Sequence, residues 1–316
     1  MTTAVTALEA PPGLADIAAV RERYAALFER RGGVRPGWDR PGAAPPPYLC
    51  GSLNGDLPAP AAPGAAALGT GAATLVEVGG GPLRLRYATG LASTALTELG
   101  LAGYRPVRPG PRTAARLAEA ATSLPDLSPW AAGVVGELVG AVVLLKPRPD
   151  LAPLSESLSS CSFDGLPFTV FLTGLGLHRL PPGFMFTQPS VYSLQESLFH
   201  QALLLWLDES RRLEDPFRDG RARERSMYVS WCGSWWSAER CLRTLFVYAH
   251  LARLRSAGLE RASGEEAALL AEALRSALAC ARELLLGLTE RRALLSASGL
   301  ELLGGVARTL PAPRRD

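Results

Sequence analysis

A long stretch of helical hydrophobic spacing runs from residue 190 to 209. Val191, Leu194, Leu198, Ala202 and Leu205 recur every three or four positions, and Phe199, Leu203, Trp206 and Leu207 fill a second face. Pro189 and Ser190 supply a start signal, and no Gly or Pro follows within the stretch. A helix apolar on most sides is buried in a larger protein. This one is therefore expected at the centre of the fold, packed by C-terminal helices. The same spacing predicts helices over residues 14–31, with Ile17, Val20, Tyr24, Leu27 and Phe28 as the stripe, and over 111–124 and 128–139. A helix capped by Ser237 runs to Leu254, and Ala/Leu stripes mark two more over 264–288 and 289–306. Two-residue alternation over 74–78 and 83–87, on either side of Gly79-Gly80-Gly81, predicts a hairpin. No Lys-Ser/Thr follows that glycine run, and a strand comes next, so it does not read as a phosphate loop. Residues 141–145 and 166–172 read as further strands. The fold class is mainly α with a small β element, an α+β arrangement.

Polar residues interrupt the central helix at informative places. Glu196 and His200 stand four apart and so project from one face. An unpaired buried polar group costs a few kcal/mol, so both need partners. They read equally as a core His bonded to a Glu and as part of a site. His178 reads as a surface residue on a loop. Four large aromatics, Tyr228, Trp231, Trp235 and Trp236, crowd a stretch with Gly233 and Ser234. They could wall a cleft or form core beneath a long loop. Residues 210–225 mix Arg with Asp and Glu and read as a solvated loop. Residues 1–12 read as a tail, and the Pro/Gly/Ala-rich span 35–73 as a long loop or linker.

Composition narrows the function classes. The formal net charge is only +3, and Lys146 is the only lysine. So weak and scattered a positive balance does not indicate nucleic acid, and no nucleic-acid partner is expected. The five cysteines, Cys50, Cys161, Cys232, Cys241 and Cys280, are odd in number and contain no C-x-x-C pair. Reduced thiols in a cytoplasmic protein are expected. No basic segment with an apolar core marks a signal peptide. The most apolar run, 130–145, is short for a membrane span and carries Glu137. The richness in Ala, Gly, Pro and Arg suggests GC-rich coding, as in actinobacteria.

The run Glu196-Ser197-Leu198-Phe199-His200-Gln201-Ala202-Leu203-Leu204 resembles the core of the HExxH-motif proteins of peptide natural-product clusters, regarded as iron- and 2-oxoglutarate-dependent peptide β-hydroxylases. Val247-Tyr248-Ala249-His250-Leu251, after the aromatic stretch, is similar to a second family segment. The resemblance covers roughly residues 128–256. It implies a helical domain over 126–316, preceded by a variable region over 1–125. It also implies catalytic roles for Glu196, His200 and Gln201, with Glu196, His200 and His250 as the available metal ligands. Substrate contacts would come from Trp231, Trp235, Trp236, Arg240 and Arg243. Two His four apart on one helix face grip one metal, but Gln201 stands at the expected Glu and Leu204 at the second His. Moving the match by four residues does not restore the motif. Near the position of a third ligand stand Arg243 and Leu245.

The implied function is that of a divergent family member that binds or acts on a precursor peptide, its usual metal ligands lost. One alternative is an active hydroxylase that uses iron and 2-oxoglutarate with another ligand set. The other is a non-enzymatic helical interaction protein. Partners implied are a precursor peptide or a sister biosynthetic enzyme, with a homodimer possible and no membrane.

Overall fold

Residues 141–145 are apolar without alternation, the pattern of a strand buried on both faces of a parallel sheet. The computed structural model describes residues 10–30, 74–78, 83, 85–89, 96–97, 99–149, 158–163 and 166–311. The segment before residue 10, the span 35–73, the Gly79-Gly80-Gly81 run and Cys50 lie outside the described residues. The first hairpin strands are β1 (Thr74–Val78) and β2 (Leu85–Thr89), antiparallel with Val78 opposite Leu85. The second begins two residues later than its alternation suggested. β3 (Tyr104–Val107), β4 (Ala141–Pro147), β5 (Ser160–Phe163) and β6 (Leu166–Thr173) complete a sheet ordered β1-β2-β4-β6-β5, with β3 added beside β4. β4 is parallel to β2 and β6, and its first five residues are buried. It ends in the exposed pair Lys146 and Pro147, with Lys146 opposite Arg105 of β3.

Seven α-helices are defined among the described residues. They are α1 (Ile17–Arg30), α2 (Pro111–Leu127), α3 (Pro129–Leu138), α4 (Val191–Leu213), α5 (Ala238–Leu259), α6 (Gly264–Glu290) and α7 (Ala297–Thr309). The fold is mainly helical with a smaller β element. Local chemistry sets several boundaries. Pro129 takes the first turn of α3, where its missing N–H costs nothing, and the Ser128 hydroxyl accepts from Ala131 N–H. Ser237 caps α5 by accepting from Arg240 N–H. The last helix begins at Ala297 rather than near residue 289, because Ser296 caps it after a short 3₁₀ turn at Arg292–Leu294. The central helix reaches Leu213, so the charged loop after it is shorter than the sequence suggested.

The chain divides into two compact units, neither of which begins near residue 125. The sheet unit comprises 21–180 and 185–205. One face of its sheet is packed by Leu96, Leu101, Tyr104, Ala141, Val143, Leu145 and Phe171. Also in this unit, the buried Arg21 forms an ion pair with the half-buried Glu137, and Trp130 of α3 meets Phe199 of α4 edge-on at 5.6 Å between ring centroids. The helical unit comprises 1–20, 181–184 and 206–316. In α6 the buried stripe Leu270, Ala273, Ala277, Cys280, Ala281, Leu284 and Leu288 keeps helical spacing and packs on α5. Among the described residues no helix is long and apolar enough to cross a membrane.

Candidate functional site

The candidate residues divide between the two units: Glu196, His200 and Gln201 lie in the sheet unit, and the aromatics, Arg240, Arg243 and His250 in the helical unit.

In the sheet unit, α4 turns a polar face inward. Glu196 is buried and His200 half-buried, and neither lacks a partner. Gln201 stands where the resembling family has a Glu. Its amide is engaged at both ends, with Nε2 donating to Ser160 Oγ at 2.9 Å and Oε1 accepting from Ser162 Oγ at 3.0 Å. That crosslink ties α4 to β5. Gln195 Nε2 donates to Ser123 Oγ of α2 at 2.9 Å, and Ser197 Oγ donates to Gly176 O at 3.2 Å. Each bond satisfies a group whose unpaired burial would cost about 1–3 kcal/mol. His178, expected on the surface, is half-buried, with its Nδ1 3.1 Å from Phe186 O.

In the helical unit the aromatic stretch is a β-hairpin rather than a long loop. β7 (Arg225–Val229) pairs antiparallel with β8 (Ser234–Ser237), placing Tyr228 opposite Trp235 and Met227 opposite Trp236. Gly233, at φ +60°, closes the four-residue turn in the left-handed region that Gly adopts without steric penalty. Alternation then sorts the side chains. Met227, Val229 and Trp236 are buried, while Tyr228 and Trp235 are 55% and 56% exposed, edge to face at 5.5 Å. The core reading holds for Trp236, whereas Tyr228 and Trp235 stand on the solvent face of the ribbon. Trp231, half-buried in the turn, meets Trp236 edge-on at 5.1 Å and lies 6.1 Å from Tyr248. The Arg240 guanidinium stacks 3.9 Å from the Trp236 ring centroid and makes no ion pair among the described residues. Arg243 is committed otherwise, donating to Asp208 Oδ2 at 2.8 Å.

His250 is buried on α5. Its Nδ1 lies 2.7 Å from Phe246 O, and its ring packs on Phe246 at 4.5 Å. Burial drives its pKa down to about 4, the bond to Phe246 O opposes this, and Arg253 lowers it further. Because the folded value lies below the unfolded one, the unfolded chain takes up the proton first as pH falls. Stability is therefore full above the unfolded value near 6.5 and is lost as pH falls toward the folded one. The expected contribution of His250 is a loss of about 2 kcal/mol between about pH 7 and pH 5. Denaturant titrations across that range check it, and His250→Gln should flatten the slope.

Among the described residues no group of three His, Cys, Asp or Glu side chains could hold a metal ion. The physical reason is local. Leu204 offers no donor one turn beyond His200, and His250 turns Nδ1 to its own helix backbone. Cys161, Cys232, Cys241 and Cys280 are free thiols, and burial pushes Cys161 and Cys241 up to about 12, away from the thiolate that binds metal. No protein-family model matches the chain, and no curated protein matches it.

Proposed function

We propose that this chain binds a precursor peptide as a divergent, non-catalytic relative of the HExxH peptide-modification proteins, acting in the cytoplasm beside a sister biosynthetic enzyme. The observation that supports the reading is the solvent-exposed Tyr228–Trp235 pair, held on a hairpin whose other face is core. The pair braces the hairpin across its strands, and it also presents to solvent the residue type that dominates binding hot spots. Arg240, stacked and without an ion pair among the described residues, can meet a peptide carboxylate.

The test is a binding titration with a candidate precursor peptide, repeated with Trp235→Ala. Binding should weaken by about 2 kcal/mol, while denaturation midpoints stay within about 0.5 kcal/mol of the parent because the ring is exposed. The hydroxylase alternative, with iron and 2-oxoglutarate, requires a product heavier by one oxygen atom that disappears in His200→Ala; such a product would overturn the binder reading. Metal analysis after dialysis against chelator should find less than about 0.1 iron or zinc per chain, since two imidazoles at most make a weak site for these metals. Stoichiometric metal that is lost in His200→Ala would contradict this.

A further inference from the structure

The hairpin's backbone register separates a covered edge from an open one. A four-residue turn closes it, with Gly233 N–H donating to Ser230 O at 3.2 Å, and Val229 and Ser234 form the closing pair. In an antiparallel ribbon, residue pairs alternate between those that exchange main-chain bonds and those whose N–H and C=O groups face outward. Val229–Ser234 and Met227–Trp236 are thus bonded pairs, and Tyr228–Trp235 faces outward.

The outward groups of β7 confirm that phase. Ser226 O accepts from Arg291 Nη2 at 3.2 Å, and Ser230 N–H donates to Glu283 Oε1 at 2.6 Å. Ser230 shares the parity of Tyr228, while Ser226 lies at the register shift opposite Trp236 and Ser237. Eight residues along a helix and four along a strand each span about 12–13 Å, so the stretch from Glu283 to Arg291 runs alongside β7 and covers that edge. A Cβ at Gly287 would lie 2.6 Å from Met227 Cε, which shows how closely the helix is seated. On β8 the outward residue is Trp235. Its N–H and C=O make no hydrogen bond to a described residue outside the hairpin.

We propose that the open edge of β8 takes an extended acidic peptide as a third strand. This deepens the peptide-binding reading above and rests on it. The peptide would exchange its main-chain N–H and C=O with those of Trp235, and lay an apolar side chain against the Tyr228–Trp235 pair. Main-chain bonds of this kind supply affinity, and alternate side chains supply specificity. The charge at the site selects the occupant. Arg225 and Arg240 are exposed and make no ion pair among the described residues, while nearby Glu239 is held by Arg211 and Arg223, and Glu283 is held by Ser230. Glu224 offsets only one of the two cations.

The probes are three capped hexapeptides: alternating Val-Glu, alternating Val-Lys, and Val-Glu with its central amides N-methylated. The readouts are the tryptophan fluorescence and the hydrogen exchange of the Trp235 amide in the full chain. The Val-Glu peptide should bind at concentrations below about 1 mM and slow Trp235 amide exchange about tenfold. The Val-Lys and N-methylated peptides should bind at least about tenfold more weakly, and so should Val-Glu to Arg240→Gln. No binding of Val-Glu up to that concentration, equal binding of the N-methylated peptide, or unaltered Trp235 exchange at saturation would each overturn the strand-addition proposal. A precursor peptide that still binds in a Trp235-dependent way in any of those cases leaves the broader peptide reading standing. A precursor peptide that does not bind removes the broader reading.

Discussion

Arg255→Met is expected to destabilise the helical unit by about 4 kcal/mol, because two backbone carbonyls each lose a buried donor. Arg255 is 1% exposed on α5 and donates through Nη1 to Ala273 O at 2.7 Å and through Nη2 to Pro181 O. A guanidinium can serve two carbonyls at once because its donors are fixed in a fork. Methionine fills part of the volume and leaves both carbonyls without that donor, each costing about 1–3 kcal/mol. Arg255→Lys keeps the charge but loses the fork, so it should fall between the parent and Arg255→Met. Urea or guanidinium unfolding, monitored by tryptophan fluorescence, measures both. A loss below about 1 kcal/mol for Arg255→Met would show that water replaces the guanidinium at these carbonyls.

Gly299→Val should cost about as much, for a steric rather than a polar reason. The first turn of α7 lies against residues 215–218. Ser296 N–H donates to Pro216 O at 2.9 Å, Ser296 Oγ donates to Asp215 O at 2.9 Å, and Arg218 Nε donates to Leu295 O at 2.7 Å. A Cβ at Gly299 would overlap the Pro216 carbonyl, which is backbone and held by that same network. Relief requires moving the helix start, so the cost should reach about 4 kcal/mol, beyond the usual range for overpacking. Gly304→Ala in the same helix is the control. Its Cβ meets only Arg308 Nη1, at 3.6 Å, and removing a helical Gly should add up to about 1 kcal/mol. Thermal or chemical unfolding of the two variants should therefore diverge in sign.

Both positions belong to the part of the fold that sequence patterns express well. Long helices were legible because their periodicity extends over many turns: α4 and α6 each keep a buried stripe from end to end. Short strands were not. β3 reads Tyr-Arg-Pro-Val, and Pro106 argues against a strand unless the strand pairs on one side only, as it does with β4. β5 is Ser-Cys-Ser-Phe, with no apolar run to announce it. In the hairpin, adjacent Trp235 and Trp236 hid the two-residue alternation, because an aromatic at every position looks the same as core. The cue was present in Met227-Tyr228-Val229 and in Gly233 as a turn residue.

The candidate site was legible only in part. That Glu196 and His200 share a helix face follows from spacing alone. That Gln201 is held by Ser160 and Ser162 does not, because those serines lie about forty positions earlier and reach it only through the pairing of β5 with β6. The assignment of the aromatics and His200 to different units likewise depends on chain topology, to which local periodicity is blind.

The scarcity of lysine has a practical consequence. With Lys146 the only side-chain amine, and exposed at the end of β4, succinimidyl ester chemistry has one side-chain target in the molecule. A dye attached there reports from a known strand terminus, and leaves the arginine-bearing hairpin chemically untouched. Among side chains, lysine-directed crosslinkers would likewise act through this residue alone.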